Sequence, residues 1–153
     1  IGRVTTPFLG IYSASKYALE SIAEGYRAEL SGFGIESCLI EPGGMPTAFM
    51  GGMLLPSDTE RRQEYGEMAD LPVPSLQGYV QFLESIPMQR PQKVADAVAE
   101  LLAMPFGEKP FRTIVDFTGM KEAIEPYNQA LQNVTHQLYT NMGIDGMLHL
   151  NKD

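Results

Sequence analysis

This sequence predicts an α/β fold built around a parallel sheet, and three observations lead there. Its elements run in the order helix, strand, helices, strand, helix, the order in which crossover units build a parallel sheet. Sharp turn signals, above all Pro42-Gly43-Gly44, close the first strand candidate. Only two strands are visible, and two parallel strands covered on both faces do not make a stable domain. The chain therefore reads as the back half of a larger doubly wound sheet, with an apolar strand edge that asks for a neighbour.

Residues Tyr12 to Leu30 form the first helix candidate. Small or apolar side chains recur there at Ala14, Ala18, Leu19, Ile22, Ala23, Tyr26 and Leu30, near a 3.6 period. Gly32 and Gly34 end it. Ile35 to Ile40 is the first strand candidate. Ala48 to Arg90 shows no clear period, holds several prolines and carries Phe49, Met50, Met53, Leu54, Tyr65, Met68, Tyr79 and Phe82. Two readings stand for it: a long lid or binding segment, or two short helices packed on the core. Pro91 opens the next helix, Gln92 to Met104, which Pro105 and Gly107 end. Phe111 to Phe117 is the second strand candidate. Glu122 to Asn141 is a terminal helix with Pro126 near its first turn.

The 153 residues suffice for one domain. With 19 acidic against 11 basic residues the net charge is −8, which argues against nucleic acid and anionic membrane surfaces as partners. No apolar run is long enough to span a bilayer. The single cysteine, Cys38, allows no intrachain disulfide, suits a reducing compartment and reads as an inert core thiol. The first residue is Ile1, so the chain is expected to lack its own translational start. His136 and His149 have no ligand partners nearby in sequence, and no metal site is expected.

The chemistry points to Tyr12 and Lys16. Four residues apart on a helix, a phenol and an ammonium share one face. Such a pair can perform acid–base work on a carbonyl or an alcohol. On composition alone it is a weak signal: seven tyrosines and five lysines give about 0.2 chance occurrences of this spacing. Its setting narrows the field. Pro7, Gly10, Tyr12-Ser13-Ala14-Ser15-Lys16 and Ala18-Leu19 resemble the active-site segment of the short-chain dehydrogenase/reductase family. Glu41-Pro42-Gly43-Gly44-Met45-Pro46-Thr47 resembles that family's Pro-Gly-x-x-x-Thr turn, and Phe111 to Asp116 resembles its seventh strand.

The resemblance implies the C-terminal half of a Rossmann-type doubly wound sheet over residues 1–118, with a substrate lid over about 48–90 and a helical tail over 119–153. It implies NAD or NADP as cofactor, hydride transfer to or from a small-molecule carbonyl/alcohol substrate that is apolar or bulky, and a homodimer or homotetramer in the cytoplasm. By analogy Tyr12 is the acid–base residue and Lys16 its activator and ribose contact. Pro42, Gly43, Met45 and Thr47 hold the nicotinamide, and Ser13, Phe49 and Met50 line the substrate. The family's Gly-rich loop, its Asn-Asn-Ala-Gly strand and its catalytic serine would lie upstream. That serine falls about thirteen residues before the tyrosine, so Gly2 fits the glycine that follows it. Thr5 and Thr6 stand at the wrong spacing to replace it. The isolated chain is accordingly expected to be inactive. Glu20, Glu24 and Glu29 read as a solvated helix face or a subunit contact, and Ser15 as the maker of a local backbone bond. Two alternatives stay open: a truncated, inactive homologue that serves as an interaction module, and an epimerase or dehydratase of the related extended branch, against which the Pro-Gly-x-x-x-Thr turn argues.

Overall fold

The computed structural model describes residues 2–54 and 56–151, and the side chain of Met50 also lies outside the described residues. Its elements are α1 (Gly10–Glu29), β1 (Leu39–Pro42), α2 (Thr59–Glu64), α3 (Pro72–Glu84), α4 (Pro91–Ala103), β2 (Arg112–Val115) and α5 (Lys121–Met142), with short 3₁₀ turns between them. The two strands pair in parallel, Leu39 opposite Arg112 and Pro42 opposite Val115. The expected α/β architecture is present: a two-stranded parallel sheet flanked by helices, part of a Rossmann-type fold.

Both strands are shorter than the sequence suggested. Residues 35 to 38 do not pair. Gly34, at φ 66°, closes the 3₁₀ turn after α1, and Ile35 N–H still bonds back to Leu30 O at 3.3 Å. The Glu36 carboxylate turns away to the Gly107 N–H at 2.8 Å and to Lys109. Ser37 Oγ donates to Ala23 O at 3.3 Å. The ladder begins only where Leu39 N–H meets Phe111 O, at 2.6 Å. Cys38, in this unpaired approach, is exposed, which corrects the expectation of a core thiol. Partial burial and the nearby Glu36 carboxylate still push its thiol above the ordinary value, so it stays protonated near neutrality.

The stretch from Ala48 to Arg90 contains a 3₁₀ turn over Ala48–Gly52, then α2, whose residues are all exposed, and α3. Asp58 caps α2 by accepting from Arg61 N–H at 2.9 Å. Pro72 starts α3, where the missing N–H costs nothing. Of this stretch Leu83 is 2% exposed and Gln89 is fully buried. Pro126 lies in the second turn of α5, later than expected, because the helix starts at Lys121. It removes the bond that would reach the carbonyl of Glu122.

The buried apolar core among the described residues is small: Ala28, Leu83, Leu101 and Val115. The accessible surface is 10510 Å², whereas a compact monomer of this mass exposes about 7,700 Å². Much of the excess is apolar. Ile11, Leu19, Ile22 and Tyr26 stand out from α1, and Val134, Leu138 and Met142 from α5.

What ties the small core together is charge. Arg3 reaches from the segment before α1 to Glu20 on α1 (Nη2 to Oε2, 2.6 Å) and to Glu41 on β1 (Nε to Oε1, 3.2 Å). Arg112 on β2 pairs with Glu24 and stands 3.5 Å from Glu41. Asn128 on α5 donates to the second oxygen of Glu41. Glu20 and Glu24 therefore face inward, not outward as their sequence suggested. Gly2 is part of this contact, since a Cβ there would stand 2.1 Å from Glu20 Oε1. Burial pushes the Glu20 carboxyl above its ordinary value, against the pull of Arg3 and helped by the neighbouring Glu41.

Candidate active site

Helix α1 places Tyr12 and Lys16 one turn apart, both half-buried. The Lys16 ammonium lies 5.4 Å from the centroid of the Tyr12 ring. That is within the range in which a cation is attracted to an aromatic face. Ser15 Oγ donates to Tyr12 O at 2.7 Å, the local backbone bond expected of it. Ahead of α1, Phe8 holds φ 68°, a backbone state that a bulky residue adopts only at a cost. The strained residue lies four positions before the phenol.

The turn after β1 meets this helix through Phe49. Its ring centroid stands 5.6 Å from that of Tyr12, tilted by 44°, in the range preferred by aromatic pairs. Thr47 is exposed, and its Oγ1 accepts from Phe49 N–H at 3.4 Å. The polar end of the turn is thus coupled by one residue to the ring that touches Tyr12. Met45 is half-buried. Ser13 is 1% exposed and its hydroxyl lacks a partner among the described residues. Met50, the remaining predicted contact, has its side chain outside the described residues.

Pro42, Gly43 and Gly44 are shaped from below by groups that sequence reasoning missed. A Cβ on Gly43 would stand 2.1 Å from Asp116 Oδ1, and one on Gly44 would stand 2.3 Å from Tyr79 Oη. Neither position has room for a side chain. Burial, and then the Asp116 carboxylate, push the Tyr79 phenol above its usual value, so it is neutral at physiological pH. Asp116 is itself committed: Oδ2 accepts from the N–H groups of Thr118 and Met120, both at 3.0 Å. Gln89 completes the support. Its Nε2 donates to Gly44 O at 2.5 Å, and its Oε1 accepts from Phe117 N–H at 2.8 Å. Nothing in the spacing of Tyr79, Gln89 or Asp116 signals this role. Glu20 and Glu24, by contrast, continue the four-residue interval of Tyr12 and Lys16, which hints at one shared ridge.

The arrangement offers a proton donor–acceptor with an adjacent cation, beside a backbone turn with no side chains at two successive residues. His136 and His149 are both exposed. Among the described residues no group of three or more histidine, cysteine or acidic side chains is placed to hold a metal ion, and no helix is long and apolar enough to cross a membrane.

No family model matches the chain, but curated proteins do. It is 57% identical over 42 residues to a probable short-chain type dehydrogenase/reductase of Helicobacter pylori, a match that covers 28% of this chain and 16% of that protein. It is 40% identical over 67 residues to the NADPH-dependent 3-dehydrocapnine reductase of Ornithobacterium rhinotracheale, over 44% of this chain and 24% of that protein. The 17-beta-hydroxysteroid dehydrogenase type 1 of Mus musculus is 32% identical over 111 residues, which cover 68% of this chain and 30% of that enzyme. In each case the match spans less than half the length of the relative. These likenesses, reached independently through a bacterial reductase and a mammalian dehydrogenase, agree with the parallel sheet and its helices: the chain belongs to the short-chain dehydrogenase/reductase family.

Proposed function

We propose that the chain is the C-terminal half of an NAD(P)-dependent oxidoreductase that transfers hydride reversibly between a nicotinamide and an apolar carbonyl/alcohol pair. One observation carries this reading: the Lys16 ammonium stands 5.4 Å from the Tyr12 ring, with Phe49 closing over that ring from the turn after β1. In reduction Tyr12 gives its phenolic proton to the carbonyl oxygen; in oxidation the phenolate takes the proton of the alcohol. Lys16 places a cation beside the ring that gives up and takes the proton.

The side-chain-free backbone at Gly43 and Gly44, after Pro42, suits a flat ring laid against it. Met45 and Thr47 would hold the carboxamide. NAD or NADP would supply the hydride. On the substrate side Phe49 fits best, and Met50 follows it in sequence. Ser13 would serve there only if its buried hydroxyl became uncovered. Residues 1–118 form the cofactor-binding part, about 48–90 the lid and 119–153 the tail. The exposed apolar face of α1 suits a homodimer or homotetramer, and the lone protonated thiol of Cys38 a cytoplasmic setting. The charge of −8 disfavours nucleic acid.

A second reading has its own observation. The large apolar surface also suits an inactive interaction module. Kinetics separates the two. In the gene product that carries this chain, Tyr12→Phe should lower kcat for NAD(P)H-dependent reduction of apolar aldehydes or ketones by about 10²–10⁴-fold. Turnover that survives Tyr12→Phe sinks the assignment. A wild-type protein that turns over no carbonyl or alcohol favours the module. The 153-residue chain on its own should not turn over, because it carries no Gly-rich loop to hold the pyrophosphate.

A further inference from the structure

We infer that Gln89 is a positioning residue, a buried amide that stands in for a peptide group where the two strands part and so fixes the turn proposed to face the nicotinamide. The inference rests on the function proposed above and adds a residue to it.

The ladder shows why such a group is needed. Its last regular bond runs from Gly43 N–H to Val115 O at 2.9 Å. Beyond it the strands diverge, leaving Gly44 O on one side and Phe117 N–H on the other. Both are part-buried there and need hydrogen-bond partners. Gln89 lies between them. It is fully buried, donates from Nε2 to Gly44 O at 2.5 Å and accepts at Oε1 from Phe117 N–H at 2.8 Å. An amide is the side-chain group that offers a donor and an acceptor at one planar end, as a peptide does. No other single neutral side chain of that reach satisfies both.

The backbone around Gln89 holds that amide in place. Gln89 N–H bonds to Ile86 O at 3.0 Å and Arg90 N–H to Met88 O at 2.8 Å, forming the tight link between α3 and α4. The Nε2 atom stands 3.0 Å from where a Gly43 Cβ would be, so it touches the underside of the turn at two successive residues. A shift of Gln89 therefore moves Gly43 and Gly44 together, and with them Met45 and Thr47.

The test uses the whole gene product that carries this chain, labelled with ¹⁵N and titrated with NADH, followed by amide shifts and hydrogen exchange. In the wild type, the Phe117 amide and the Gln89 side-chain NH₂ should exchange slowly, and NADH should shift the amides of Gly43 to Thr47. Gln89→Met fills the volume without either bond. It should leave the α1 and α5 spectra folded, speed Phe117 exchange at least about tenfold and weaken NADH by about tenfold. Gln89→Glu still accepts from Phe117 N–H but cannot donate to Gly44 O while ionised. Its NADH affinity should recover as pH falls and the buried carboxyl gains a proton, a response that loss of packing alone would not give. Fast exchange of the wild-type Gln89 NH₂ overturns the inference even if every variant fails to fold. So does a Gln89→Met chain whose NADH affinity and Phe117 exchange both match the wild type. A wild type with protected Phe117 but no NADH shifts at the turn overturns the nicotinamide site itself, and with it the positioning role.

Discussion

Tyr12, Lys16, Glu20 and Glu24 lie one turn apart along a single ridge of α1, yet the two ends of that ridge live in different surroundings. At Glu20 and Glu24 the helix is held by Arg3, Arg112 and, through Glu41 and Asn128, by both strands and α5. At Tyr12 and Lys16 the described contacts are one cation over a ring and one tilted aromatic partner, and Phe49 is itself more than half exposed. The same four-residue interval thus yields a fixed end and a yielding end. A cation near a phenol can tune its chemistry without contributing much to stability, whereas buried carboxylates and guanidiniums become indispensable to one another once desolvated.

The largest expected effect would break the comparison at its fixed end. Arg3→Met strands Glu20 and Glu41 with a single guanidinium, that of Arg112, and should cost about 3–5 kcal/mol in urea unfolding. A loss below about 1 kcal/mol would mean that the cluster does not anchor α1. The turn between the two ends comes next. Gly44→Ala forces a methyl against Tyr79 and Leu83 and should cost about 1–3 kcal/mol. An unchanged midpoint would show that the turn gives way easily. At the yielding end, Phe49→Ala removes only an exposed aromatic pair and should cost at most about 1 kcal/mol.

The smallest effect sharpens the comparison through pH. The folded-state pKa of Glu20 is raised above the ordinary 4.5. Its contribution is therefore present in full below 4.5 and is lost as pH rises through the folded value. For Glu36 the Lys109 bond, opposed by burial and aided by the Gly107 N–H, lowers the folded-state pKa below the same 4.5. Its contribution is present above 4.5 and is lost as pH falls through the folded value. Unfolding midpoints measured against pH should thus lose part of their acid-side decline in Glu36→Gln and part of their decline above 4.5 in Glu20→Gln. Identical profiles for the two variants would contradict the opposite signs.

Much of the fold was legible because helices announce themselves over several turns. The bounds of α1, α4 and α5 differ from expectation by two residues at most, since the apolar period and the flanking glycines and prolines act locally. The strands were placed less well, because pairing is decided by a distant partner: only Phe111 shows that the ladder begins at Leu39. The candidate site was legible where it is a motif, as at Tyr12 and Lys16, and illegible where it is a support. Gln89 is separated by 45 residues from Gly44 and by 28 from Phe117, and no local pattern marks it. Glu20 and Glu24 misled for the opposite reason. Acidic residues on a helix are usually solvated, and their partner Arg3 sits beyond the helix start.

The shared ridge makes α1 behave like a dial with two hands on one spindle. Each residue added to a helix turns everything beyond it by about 100°. One extra residue between Lys16 and Glu20 would leave the phenol and ammonium aligned with each other while swinging the acidic pair away from Arg3 and Glu41. A residue lost there would swing it the other way. Substitutions along this stretch can be tolerated one by one, but a change in its length must either unseat the helix from the sheet or carry Tyr12 away from the turn.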